Sequence, residues 1–382
     1  MLSFGTGGGV DFQNLASQLA INGATYTLVG DISTLAADVA ANSSGNFALA
    51  NNYDASKDGT YQGSPIPTWY SGSFDGLGNT IANLAIGNTQ HVGREPTGLF
   101  SIVTTGSVSH LDISDINLDV RHIEGQVGVG ALAGDNGGTI QGVRVSGTVV
   151  SGANIVGGVV GSNGGTINGV ISTVGVTGEA KYSSTGGLVG ENTGLISNSY
   201  GAGNVFAHKR YASAGGLVGN NEAGGEVSNS QATGKVTGNY ASGGLIGFFG
   251  AGTINETFAT GAINGAGSRS ETGGLVGWQG ANGTATINES YSTGAVSGNG
   301  GIGTVGGMIG IGGPGAVTTC YWDTTTSGTD NGVGGGNISG LTGLTSKQLR
   351  SGLPAGFDPA VWAEERKINN GFPYLIADPP LK

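Results

Sequence analysis

Glu256 and Glu289 occupy the same place in two successive copies of a repeated segment. If the copies stack at the ordinary strand spacing, their backbones lie about 4.8 Å apart. That approaches the separation of about 5 Å at which one carboxylate attacks a sugar and its partner handles the proton, the chemistry of a retaining glycosidase. The competing reading is two outward carboxylates on a solvated strand, where earlier copies carry Asn198 and Asn229. The second reading is adopted, and no catalytic residue is assigned.

Other reactive residue types are dispersed. His91, His110, His122 and His208 show none of the His/Cys spacing of a zinc site. Asp112, Asp115 and Asp119 form an acidic group but lack the glycine-spaced oxygen pattern of a calcium loop. Cys320, the one cysteine, falls in a column otherwise held by Ser199, Ser230, Thr257 and Ser290, and reads as a small core residue. The run Gly332 to Gly336 has no following Lys-Ser/Thr and is not a phosphate loop. Neither a metal nor a cofactor is expected.

A contact surface is better supported than a reactive centre. The copies disagree mainly after their third strand, over 179–185, 206–214, 239–242, 266–272 and 299–305. These stretches hold Lys181, Tyr182, His208, Lys209, Arg210, Tyr211, Tyr240, Arg269 and Glu271. In a stack in register such loops project along one edge, and variable loops of repeat proteins often form the binding face. The expected ligand-binding set is Lys181, Tyr182, His208, Lys209, Arg210, Tyr211 and Arg269, facing an anionic glycan. Loop drift on a tolerant scaffold accounts for the same variability, and both readings stand.

What positions these residues is the repeat itself. Gly-Gly-Leu-Val-Gly or a close variant opens at Gly157, Gly186, Gly215, Gly243, Gly273 and Gly306, with a looser copy at Gly130 and a divergent one near Gly98. A period of about 28 residues marks a stacked-repeat architecture. In the copy at Gly186, Gly187-Leu188-Val189 reads as a strand and Gly190–Gly194 as a turn. Leu195–Tyr200 alternates apolar and polar as a half-buried strand, and Gly203–Val205 forms a third. Leu188 and Val189 cannot both point inward on a flat strand, so one must lie at a bend or under a loop. Aligned on the middle strand, Ile140, Ile167, Ile196, Val227, Ile254, Ile287 and Val317 form one file, and Val149, Val176, Val205, Val236, Ile263 and Val296 another. Asn136, Asn163, Asn192 and Asn221 make a third file, read as an amide ladder along the stack.

The expected fold is an all-β, right-handed parallel β-helix (β-solenoid) of roughly nine to eleven three-strand coils, capped at both ends. Residues 1–97 read as an N-terminal cap with irregular first coils, 98–327 as the repeats, and 328–382 as a C-terminal loop and cap. Ser33 to Ala40 reads as a capped helix, Thr345 to Arg350 as a capped helical turn, and Trp362, Phe372, Tyr374 and Leu375 as an apolar plug.

Composition narrows the function. Of 382 residues 80 are glycine, and the chain carries 14 Lys and Arg against 25 Asp and Glu, a net charge of −11. That balance opposes nucleic-acid binding, which needs a basic face. No stretch approaches the roughly 18 apolar residues of a membrane span. Met1–Gly5 lacks the basic segment and apolar core of a signal peptide, so the chain reads as a piece of a longer exported protein.

Gly-Gly-Leu-Val-Gly-x-Asn-x-Gly-x-Ile-x-Asn-Ser-Tyr-x-x-Gly-x-Val, best developed at Gly186–Val205 and Gly273–Val296, resembles the GLUG repeat. Asn46–Ala55 and Gly72–Ile81 resemble the segment that precedes such repeats, and Cys320–Thr324 with Pro373–Leu375 the segment that follows. The resemblance spans Asn46 to Ile376 and points to filamentous-haemagglutinin-like bacterial adhesins exported by two-partner secretion. It implies an extracellular, non-enzymatic, monomeric adhesin segment that binds a host or matrix glycan or protein. It also implies an outer-membrane transporter as the partner of the parent protein during secretion. A polysaccharide lyase or glycoside hydrolase on the same scaffold, or an inert spacer, are the alternatives.

Overall fold

The computed structural model describes residues 8–87, 95–123, 125–222, 224–280, 285–299 and 303–378, so His91 lies outside the described residues. Each repeat becomes one turn of an all-β parallel solenoid, and about nine turns stack. In the turn that contains Gly186 the chain runs through Ser184–Gly186, Val189–Asn192, Leu195–Ser197, Tyr200–Gly201 and Val205–Ala207. The first strand belongs to a seven-stranded sheet, the second to a nine-stranded sheet, and the rest to a 26-stranded sheet.

The aliphatic files align as the repeat spacing demands. Ile140, Ile167, Ile196, Val227, Ile254, Ile287 and Val317 pair in unbroken parallel register. The same file runs back through Val108, Phe74 and Phe47. The file from Val149 to Val296 is equally regular. Members of both files are buried, and at about 0.8 kcal/mol per buried methylene they are the main source of cohesion between coils.

The opening Gly-Gly-Leu-Val segment differs from expectation. It is a corner rather than a strand: Ser184–Gly186 ends one strand, Gly187 and Leu188 bend, and Val189–Asn192 continues on the next sheet. The bend lets Leu188 and Val189 both bury fully. Glycine is required because the chain doubles back on itself, and a Cβ on Gly186 would sit 1.9 Å from the Val189 carbonyl oxygen. Residues 190–192, expected in a turn, therefore belong to a strand.

The asparagine file inside the stack is bonded along its axis. Asn136 Nδ2 donates to Asn163 Oδ1 at 2.7 Å, and Asn163 to Asn192 and Asn192 to Asn221 at 2.8 Å. Asn221, which pairs with Phe249 in the next coil, donates instead to the Ala251 carbonyl at 2.9 Å. In the small-residue column Ser199, Ser230 and Ser290 accept from the backbone N–H of Val170, Ser199 and Thr257. Cys320 continues this column with its thiol buried, its Sγ contacting the Thr318 carbonyl at 3.1 Å. Burial pushes that thiol up to about 12, so it stays protonated and inert.

The two ends depart from expectation in detail. The N-terminal helix is Ile32–Ala41 and starts earlier than Ser33, because Asp31 caps it by accepting from Thr34 N–H at 2.6 Å. Ile32, Leu35 and Val39 form its buried face. At the other end Ser346–Leu349 is a helical turn with a Thr345/Gln348 capping box. Trp362, Phe372 and Leu375 are buried as expected, but they do not plug the end of the stack. They pack on its flank with Phe258, Tyr291, Tyr321 and Phe357, and Tyr374 is not part of that cluster. Gln231, Phe258, Tyr291 and Tyr321 are one outward file. The C-terminal segment covers it, with Tyr321 donating to Ala355 O, Tyr291 to Pro373 O, and Gln231 to Asp378 O.

Candidate functional site

The variable loops enter the seven-stranded sheet side by side. Tyr182 and Tyr211 each stand two residues before the paired Ser184 and Ser213. Both have left-handed backbones, with φ of 62° and 64°, a region that disfavours bulky side chains. Their rings stack at 5.0 Å and 17°, and Tyr182 N–H donates to Arg210 O at 3.2 Å. Tyr240 immediately precedes the Ala241–Gly243 strand, at the end of a shorter loop. It meets Tyr211 edge-on at 5.8 Å and 82°.

Cations frame these rings. The Arg210 guanidinium lies 4.6 Å from the Tyr211 ring centre and donates to its hydroxyl at 2.6 Å. Arg210, Tyr211, Asn239, Tyr240, Ser268 and Arg269 line a groove of ≈ 430 Å³. Burial, then the nearby Glu271 and Tyr211, raise the Tyr240 phenol, which keeps it a neutral hydrogen-bond donor. Lys181 and Lys209 are exposed beside this group. His208 stacks on Phe206 at 4.7 Å instead of joining the tyrosines. Of the expected set, Tyr182, Arg210, Tyr211 and Arg269 are thus brought together by ring contacts and a shared groove. Lys181 and Lys209 adjoin them in the chain.

The ring series continues where sequence reasoning placed nothing. Tyr240 contacts Trp278 at 5.4 Å and 85°, and Trp278 contacts Phe248 at 5.1 Å and 77°. Phe248 and Trp278 sit in a strand file rather than a loop, following Glu191 and Asn220 in register. The available signal was the switch from polar to aromatic at that outward position. Further back the same file carries Asp135 and Ser162. Burial, reinforced by Glu191, raises Asp135 to about 6, and burial, then Glu222, raises Glu191.

The two glutamates sit at a backbone corner and are bonded to neighbouring protein groups. Glu256 and Glu289 have φ of 54° and 42°, in the left-handed corner that Asn198 and Asn229 occupy at 48° and 46°. Glu289 accepts the Asp358 N–H at 3.0 Å, joining a coil to the C-terminal segment. Burial, then the charge of Glu289, raises the Glu256 carboxyl, while hydrogen bonds from Asn255 and Asn229 oppose the shift. The pair is therefore bonded to protein rather than freely solvated. Among Asp112, Asp115 and Asp119, Asp119 is turned to Arg121 at 3.0 Å. No three His, Cys, Asp or Glu side chains converge as a metal site among the described residues.

The chain is thus a parallel β-solenoid of stacked repeats with an aromatic and cationic loop edge. Residues 211–237 match the GLUG motif family. A stretch of 142 residues, 36% of this chain, is 33% identical to Halomucin from Haloquadratum walsbyi. The match spans 1% of that relative's length. The crystal structure of a candidate immunoglobulin A1 protease from Bacteroides ovatus is similar at 15% identity and a TM-score of 0.44, over 93% of each chain.

Proposed function

We propose that this chain is a non-enzymatic segment of an extracellular adhesin, filamentous-haemagglutinin-like and exported by two-partner secretion, and that its loop edge binds an anionic glycan of a host or matrix. The observation that carries this reading is the groove in which Arg210 and Arg269 flank Tyr211 and Tyr240. On a chain of net charge −11 the edge supplies the local positive field and planar contact area that acidic sugars need. The GLUG motif and the likeness to Halomucin support an extracellular setting. Glycan-array binding that falls with salt, and is lost on replacing Lys209, Arg210 and Tyr211 with Ala, is the expected result. Exposed charges are screened within about 8 Å at physiological ionic strength, so binding that ignores both salt and the triple change overturns the reading.

A glycoside-cleaving function has one supporting observation, the raised Glu256 carboxyl beside Glu289. Turnover of a polysaccharide that disappears in Glu256→Gln with Glu289→Gln would establish it in place of adhesion.

A further inference from the structure

We propose that the edge binds a linear acidic polysaccharide lengthwise, the sugar chain running along the solenoid axis over consecutive coils from Tyr182 to Trp278. The proposal rests on the reading of this edge as the binding surface and specifies the shape and direction of what it holds.

The first observation is continuity. Tyr182, Tyr211, Tyr240 and Trp278 form an unbroken series of ring contacts along the stack, with Phe248 beside the last. They belong to loops or strands of successive coils, joined by the register of their neighbours. Three strand spacings amount to about 14 Å, the reach of a short oligosaccharide and longer than a single sugar. A site for a compact ligand would need only the one groove at Arg210 and Arg269.

The second observation is the backbone. Two tyrosines at equivalent loop positions hold left-handed φ values of 62° and 64°. Asn or Gly would occupy that conformation with less strain. Strained backbone tends to persist where a side chain has to be aimed at a ligand. Tyr182 is aimed outward, with 63% of its surface exposed. Because each ring is held by the next, little side-chain freedom is left to lose on binding.

The third observation separates a sugar from a peptide. Extended peptides add to free strand edges, but the strands beside these loops are paired on both sides. Ring faces and edges can take the C–H faces of sugars. Asn239 and Ser268 offer hydrogen bonds to hydroxyl groups, and Arg210 and Arg269 can pair with carboxylate or sulfate.

The test is calorimetric titration of the full chain with di-, tetra- and hexagalacturonate, and with neutral xylotetraose. The tetramer is expected to bind about tenfold tighter than the dimer, with little further gain for the hexamer, and xylotetraose to bind weakly. Trp278→Ala should weaken the tetramer about fivefold or more, as loss of an aromatic contact does, with Trp278→Phe restoring most of it and circular dichroism unchanged. Affinity that is independent of length and of Trp278, yet lost in Lys209→Ala with Arg210→Ala, overturns lengthwise binding and leaves the edge reading intact. Absence of binding to either series, or binding that none of these variants alters, overturns both.

Discussion

Tyr182 and Tyr211 lie ring over ring at 5.0 Å on consecutive coils, and both reach that position through a left-handed backbone. Two effects therefore oppose each other at Tyr182. The conformation costs about 1–2 kcal/mol for a residue with a Cβ, and the ring pair returns about 0.5–1.5 kcal/mol. Tyr182→Asn, which suits the backbone but removes the ring, should leave thermal stability nearly unchanged while lowering glycan affinity. Scanning calorimetry paired with a binding titration checks this, and a large drop in melting temperature would contradict it.

The amide ladder should be far less tolerant. Asn192 accepts from Asn163 and donates to Asn221 within the buried stack. Asn192→Ala strands one donor and one acceptor, at about 1–3 kcal/mol each. The expected loss of about 2–6 kcal/mol is measurable by urea unfolding. A change below about 1 kcal/mol, the worth of one ordinary hydrogen bond, would show that water replaces the amide.

Stability should fall as pH rises through the window set by Asp135. Its folded value is raised from 3.8 to about 6, so between these values the native state binds more protons than the unfolded chain. Unfolding free energy therefore decreases with pH across that window and levels off above it. Asp135→Asn should flatten the slope and raise stability at neutral pH, read from melting temperatures between pH 4 and 7.

The glutamates at the left-handed corner give a paired comparison. Glu256→Asn restores the residue type found at Asn198 and Asn229 and should stabilise by about 0.5–1 kcal/mol, part of the cost of a poorly suited backbone. Glu289→Asn relieves the same backbone but forfeits the bond to the Asp358 N–H, so its gain should be smaller or reversed. Equal effects in denaturant titrations would refute the assigned role of Glu289.

The inward files were legible because a side chain buried in a stack must be followed by its like in every coil, as from Ile140 to Val317. The corner at Gly187 was not, since Leu188 and Val189 are both apolar and their order does not mark where the chain bends. Arg210, Tyr211 and Arg269 stood out as rare residue types in loops that the repeat brings to one edge. Trp278 escaped because it sits in a strand, where an outward aromatic looks like any other substitution. The apolar character of Trp362 and Phe372 was plain, but not its destination. Phe258 and Tyr291 lie at outward positions, and strand periodicity does not record what covers them.

The bond between Gln231 and Asp378 joins residues 147 apart in the chain. A bare stack can peel from its end one coil at a time, since each coil holds only its neighbours. Here the C-terminal segment crosses the outward file from Tyr321 back to Gln231, which binds those coils into one block. A pull on Asp378 would load Gln231 and the side of the stack in shear before the last coil could unzip. The tether thus couples the coils from Gln231 to Tyr321, so that this end of the stack would yield to tension together rather than coil by coil.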